Sequence, residues 1–351
     1  MSEQVFKVFA DCIPVSGTKR AAICDLGREK IYIVPKSLCD FIDQFEGKNL
    51  AELLETLDKE DSVILSEYLQ YLEQHELIFW CDEEEAKRFP KIKPKWQSPS
   101  LISNVSIEFN PVFCYEQVLK DLNQLGCGHF QFRLADLNNE TVERFSALLQ
   151  LLHQSPDYLQ DFEVFVPHQS QEVDKAFVDR LSQYLTLRSI TFYAHERESQ
   201  EVIHYFSIKC TASYLSSQPE RSTVSSGSFF PNYDFFFESR LRNPYYNGKV
   251  CIAFNGDIKN SLENCTLFGK IQMDSLIEVA RRSDFQKLWY AAKDQIEGCR
   301  DCEFRRVCFD TRPLRFDDKQ GCYIPAYSCN YSPYTAQWEF EKCAKNHLEA
   351  T

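Results

Sequence analysis

Over its first eighty residues the chain alternates short apolar runs with helical stripes. Residues 5–13, 21–25 and 30–34 read as strands, the last of them, KIYIV, being β-branched and aromatic. Gly27 supplies the turn before it. Three helical stretches follow. PKSLCDFIDQF opens on Pro35, which suits a first helical turn. NLAELLETL starts at an Asn49 cap, and Asp61 or Ser62 caps SVILSEYLQYLEQHE. On that third helix Val63, Leu65, Leu69 and Leu72 form the inward stripe. A last short strand at 77–80 is a wing, so the pattern predicts a winged-helix domain over residues 1–81. The charge run and prolines of DEEEAKRFPKIKPKWQSPS predict a linker over 82–100.

Between residues 101 and 210 the period switches. VSIEF, HFQFRL, FEVFV, SITFYA and HYFSIKC are strand-like, with amphipathic stretches between most of them. Alternating strand and helix patterns imply parallel βα units, as a partial barrel or an open doubly wound sheet. The segment is short for an eight-fold barrel of ~250 residues. A reduced (β/α) partial barrel over 101–245 fits its length better. Further on, Asn255-Gly256 between KVCIAF and DIKNS marks a hairpin. A helix over MDSLIEVARRSDFQKLWYAAKDQI and a cysteine-rich tail complete a third segment, 246–351. The fold class is α/β.

Composition narrows the function. The 351 residues suit two or three domains at roughly 150 each. A formal net charge of −13 argues against nucleic-acid binding, which needs a basic footprint. Glu67, Glu73 and Glu76 on the third helix would face phosphate. The opening MSEQVFKVFADCIP has no signal-peptide pattern, and no apolar run approaches the ~18 residues of a membrane span. No membrane partner is expected, and the location expected is cytosolic, where thiols stay reduced. Fifteen cysteines there are metal ligands or buried packing rather than disulfides.

Six of those cysteines fall in the tail. Cys299-x2-Cys302-x5-Cys308 can be drawn to one point by a tight turn and a short loop, and Cys322, Cys329 and Cys343 follow. A fourth thiolate would close a tetrahedral site for zinc or an iron–sulfur cluster, and spacing does not separate the two. Arg305 and Arg306, inside the x5 loop, either tune such a cluster by charge or form a solvated loop face. At the other end, the strand carrying Ile31, Tyr32 and Ile33 can serve as a sheet edge. An edge accepts an extended peptide by main-chain pairing, with Tyr68 and Tyr71 of the third helix as the other wall.

The order of the later cysteines resembles the SPASM domain, the auxiliary-cluster module of many radical S-adenosylmethionine (SAM) peptide-modifying enzymes. More closely, KDQIEGCRDCEFRRVCFDTRPL followed by CNYSPYTAQWE is similar to the SPASM-type peptide maturases of grasp-with-spasm gene clusters. The resemblance implies an N-terminal leader-binding domain, a degenerate βα middle and a SPASM-like end. It also implies a [4Fe-4S] cofactor, a precursor-peptide partner and an ATP-grasp ligase partner. Carried over by position, Cys299, Cys302, Cys308 and Cys329 make one complete site. Cys251 and Cys265 match the pair of a second site, for which no cysteine directly follows Cys308; Cys322 or an oxygen of Asp310 is the substitute. The radical SAM motif Cys-x3-Cys-x2-Cys is missing, since the corresponding stretch holds only Cys114 and Cys127 and no two cysteines stand four positions apart. SAM cleavage is therefore not expected, no catalytic residue is assigned, and an accessory or scaffold role is favoured. An active iron–sulfur enzyme and a zinc-stabilised interaction module are the alternatives.

Overall fold

The alternation legible at residues 129–134 and 161–167 reports a sheet with one covered face. In the computed structural model, which describes residues 4–50, 58–93, 95–154, 157–213 and 224–339, these are two central strands of a nine-stranded, mostly parallel sheet. The chain forms two compact units, one of residues 98–220 with 245–290, the other of residues 1–97, 221–244 and 291–351.

The N-terminal part begins with β1 (Gln4–Val8), β2 (Cys12–Ser16), β3 (Ala21–Asp25) and β4 (Lys30–Val34). The expected strand over 5–13 is thus two strands. The turn between them crosses at Cys12, whose N–H donates to the Phe9 carbonyl. Strands β2, β3 and β4 form an antiparallel sheet in that order, so β4 is an edge. Next come α1 (Lys36–Phe45), α2 (Lys59–Gln74), β5 (Ile78–Asp82), which pairs with β1, and the one-turn α3 (Glu83–Ala86). Helix α2 starts earlier than the sequence suggests, because the Asp58 side chain takes the Asp61 N–H. Its Leu65 and Leu72 are buried, but Val63 is 57% exposed and not core. The stretch expected as a second helix lies mostly in 51–57, outside the described residues. Asp82 and Glu85 form a reciprocal capping box that makes the start of the expected linker helical.

In the other unit β6 (Asn104–Phe109), α4 (Glu116–Leu125), β7 (His129–Leu134), α5 (Asn139–Gln154), β8 (Asp161–Pro167), α6 (Gln171–Leu181) and β9 (Leu187–Tyr193) alternate. Strands β6 to β9 are parallel and lie side by side in chain order. Right-handed crossovers then place α4, α5 and α6 on one face. Phe130, Phe132, Phe162, Val164 and Val166 are buried on that side, with Phe132 edge-on to Phe145 of α5 at 5.2 Å. The opposite face is polar and half-buried. There His129 pairs with Asp161 at 3.0 Å, and Gln131 donates to Glu163 at 2.8 Å. Phe132→Ala is expected to cost about 3–5 kcal/mol through the cavity it leaves. Gln131→Ala should cost about 1 kcal/mol, the size of one hydrogen bond. Chemical denaturation of the two variants checks the contrast.

The sheet is extended by β10 (Ser199–Ile203) and β11 (Phe206–Cys210) on one side, and by β12 (Lys249–Ile252), β13 (Asp257–Lys259) and β14 (Gly269–Lys270) on the other. Among the described residues its outer strands are β10 and β14, and it does not close. Gly256, at φ +83°, makes the β12–β13 turn expected from Asn255-Gly256. Residues 246–290, expected with the tail, belong instead to this unit, because β12 pairs in parallel with β6 and satisfies that strand's main chain. The long helix expected after it is broken. Leu276–Arg281 ends where Arg282 turns extended, and short helical turns follow.

The cysteine-rich tail packs on β2–β4 rather than forming a domain with residues 246–290. Val15, Cys24 and Leu26 share one core with Phe236, Phe237, Phe304, Val307 and Tyr331. A short tail holding several buried polar groups has little apolar surface of its own and borrows a sheet face. Among the described residues no helix is long and apolar enough to cross a membrane.

Candidate metal centre

Ile296 and Gly298 set up the turn that carries the first thiol. Gly298 is at φ +72°, and Cys299–Asp301 forms a single 3-10 turn in which the Cys302 N–H donates to the Cys299 carbonyl at 3.0 Å. The x5 loop closes when Cys308 N–H reaches the Phe304 carbonyl at 2.9 Å. Cys329 arrives from a separate loop. Its neighbour Asn330 clamps the main chain of Val224, donating to its carbonyl at 2.8 Å and accepting its N–H at 2.9 Å.

Cys299, Cys302, Cys308 and Cys329 together line one cavity of about 560 Å³. Aromatic groups wall it, among them Phe229, Phe304, Tyr331 and Trp338. Two main-chain N–H groups point at sulfur, Phe304 N to Cys302 Sγ and Tyr331 N to Cys329 Sγ, both at 3.4 Å. Burial pushes Cys308 up to about 12 and Cys302 well above its ordinary range, and it raises Cys299 as well. These thiols hold their protons until a cation displaces them.

Beside them lies a buried ion triad. Lys293 Nζ pairs with Asp310 Oδ2 at 2.8 Å, and Arg312 grips the same carboxylate through Nε at 2.9 Å and Nη2 at 2.8 Å. Arg312 Nη2 also donates to Cys299 Sγ at 3.5 Å. Burial opposes the charge on each member. The mutual attraction prevails, holding Asp310 below the usual carboxylate range and both cations above theirs. Asp310, offered above as a second-site ligand, has its oxygens engaged by these two cations.

The other expected ligands are dispersed. Cys251 is fully buried in β12, while Cys265 is exposed in the loop beyond β13. Cys322 is buried in the hairpin strand Cys322–Pro325, with its sulfur toward Gln320 Oε1. Cys343 lies outside the described residues. Cys114 is exposed after β6, and Cys127 is buried and donates to the Ser103 and His129 carbonyls. Arg305 and Arg306 bind Asp294, with Arg305 also reaching the Ser16 and Cys302 carbonyls. They brace the loop.

Whether the donor set fits a metal can be judged from its geometry. Among the described residues no three His, Cys, Asp or Glu side chains converge closely enough for a single ion. A lone zinc would have to draw the thiols inward. Four thiols around an open cavity, with N–H donors aimed at sulfur and a cationic wall, suit a larger thiolate-bound cluster.

At the expected peptide edge, Tyr32 and Tyr71 meet over His75, at ring distances of 5.1 and 4.4 Å, and Tyr68 bonds Ser37 at 2.5 Å. Ile31 points the other way, into the core shared with Cys302 and Cys308. Ile33 is 39% exposed on the free edge. Lys293, Arg312, Glu303 and Arg20 were not legible in the sequence. No local pattern marks them, since Lys293 and Arg20 find partners distant in sequence, and Glu303 and Arg312 lie in irregular loops.

No family model and no curated protein matches this chain. Among solved structures, it is similar to the crystal structure of Streptococcus suis SuiB bound to S-adenosylmethionine, at 10% identity over 88% of this chain and 93% of that one. The TM-score is 0.29, at which a common fold is not shown. What the chain itself defines is an α/β protein with a thiol-lined cavity.

Proposed function

We propose that this chain is a peptide-maturation protein of the SPASM type that binds a [4Fe-4S] cluster on Cys299, Cys302, Cys308 and Cys329. In this reading β4, with its unpaired edge and the tyrosines of α2, captures the leader of a ribosomally made precursor. The peptide adds a strand by main-chain hydrogen bonds, and exposed Ile33 offers an apolar contact. The βα unit, a partial barrel without the cysteines for SAM cleavage, presents the rest of the peptide or meets an ATP-grasp ligase. The role is accessory. The cluster, when bound, supplies folding free energy to a tail that has little core of its own.

One observation carries the reading: the three cysteines of one loop and Cys329 from a separate loop line one cavity, in the same compact unit as the edge strand β4. Metal and sulfide analysis of protein purified without oxygen tests it. About four irons and four sulfides per chain, lost in Cys302→Ala, are expected. One tightly held zinc and no iron would replace the reading with a zinc-stabilised interaction module.

A further inference from the structure

Surface charge pairs are ordinary, but two cations and one anion sealed beside four thiols are not. The side chains of Lys293, Asp310 and Arg312 are 2%, 3% and 4% exposed. Asp310 neutralises one of the two cations, which leaves one positive charge over. Lys293 is close enough to Cys299 and Cys308 for their charges to be felt, as Arg312 is to Cys299 and Cys329. Of the other charges nearby, Glu303 is paired with Arg20, Glu297 is exposed to solvent, and Arg305 and Arg306 share the exposed Asp294.

We propose that the Lys293–Asp310–Arg312 triad is a charge-setting element, whose surplus positive charge holds the reduction potential of a cluster on Cys299, Cys302, Cys308 and Cys329 above the value neutral surroundings would give. This rests on the cluster reading above. Four thiolates make such a site anionic, and an added electron makes it more so. In a low-dielectric pocket a fixed cation stabilises the reduced form more than the oxidised one. The Arg312 N–H on Cys299 acts in the same sense by drawing charge from that sulfur. Lys293 and Arg312 are positioning residues here, acting on the cluster through space and through a ligand.

The test is a redox titration of the full chain, reconstituted without oxygen. Dithionite supplies one electron per cluster, no bond is made or broken, and electron paramagnetic resonance follows the reduced form. Iron and sulfide are counted first. Arg312→Gln and Lys293→Gln are expected to shift the potential to more negative values, Asp310→Asn to more positive ones, and Arg312→Lys to leave it near wild type. The reversal of sign for Asp310→Asn is what a purely structural role would not produce. Unshifted potentials, or shifts of one sign in Lys293→Gln and Asp310→Asn, overturn the proposal and leave the cluster reading intact. Wild-type protein without iron and sulfide overturns both. If Arg312→Gln fails to load, Lys293→Gln and Asp310→Asn decide. If none of the variants loads, the triad serves assembly and the proposal fails.

Discussion

Replacing Arg20 by methionine is expected to cost about 3–5 kcal/mol, the usual penalty for stranding one partner of a buried ion pair. Arg20 sits at the end of the β2–β3 turn, and its Nε donates to Glu303 Oε1 at 2.6 Å. Glu303 lies inside the Cys-x5-Cys loop with its side chain fully buried. Its other support is the Tyr331 hydroxyl at 2.5 Å, and Oε2 has no hydrogen-bond partner among the described residues. Without Arg20 the carboxylate keeps the Tyr331 hydroxyl as its donor and has no cation beside it. The double variant Arg20→Met with Glu303→Leu should recover most of the loss, since both charges are then gone. Denaturant midpoints across the four-protein cycle check this, and additive losses would show that the pair is not coupled. Gly17 belongs to the same joint. A Cβ there would lie 2.8 Å from Glu303 N and 2.9 Å from the Arg20 carbonyl oxygen, both backbone atoms that cannot swing aside.

On the cluster reading, stripping the metal, or replacing Cys302 by alanine, is expected to loosen β3 and β4 as well as the tail. The reason is the shared core. Cys302, Cys308 and Cys329 pack with Phe304, Val307 and Tyr331 against Val15, Cys24 and Leu26, and Ile31 of the edge strand joins them. A ligand that binds only the folded site stabilises whatever unfolds with it. Amide exchange of residues 21–25 and 30–34 should therefore speed up on metal loss, by far more than that of α1. The other face of the small sheet rests on Leu38, Ile42 and Leu72, which the thiols do not touch. Unchanged exchange in β3 and β4 would mean that the thiol site and the strand edge are mechanically separate. A change would couple the thiol site to the order of the edge strand β4 that the proposed function assigns to the peptide.

How much of this was legible varied by element. In the βα unit, polar and apolar residues alternate so regularly at HFQFRL and DFEVFVP that strand positions and the covered face follow from the pattern. The hairpin at Asn255-Gly256 was equally plain, because only a residue tolerant of positive φ closes that turn. Helix ends were less so. Asp58, rather than Asp61 or Ser62, caps α2, since capping depends on which side chain reaches an N–H three residues on. Within the candidate metal centre, the spacing of Cys299, Cys302 and Cys308 announced one loop. Cys329 could be joined to them only by resemblance, and the charged residues around them not at all.

Local matters follow from the order of residues alone: strand and helix periods, the turn glycines, the three-cysteine loop, and the absence of the radical SAM triplet. These depend on neighbours within a few positions, where backbone sterics and side-chain period act directly. The folded chain was needed to show that β12 extends the large sheet beside β6 and that the tail shares a core with β2–β4. It alone brought Lys293, Asp310 and Arg312 against the thiols, and Arg20 onto Glu303 of the Cys-x5-Cys loop. Such arrangements are set by which distant surfaces exclude water together and which buried charges then find partners, and no short stretch of chain encodes either.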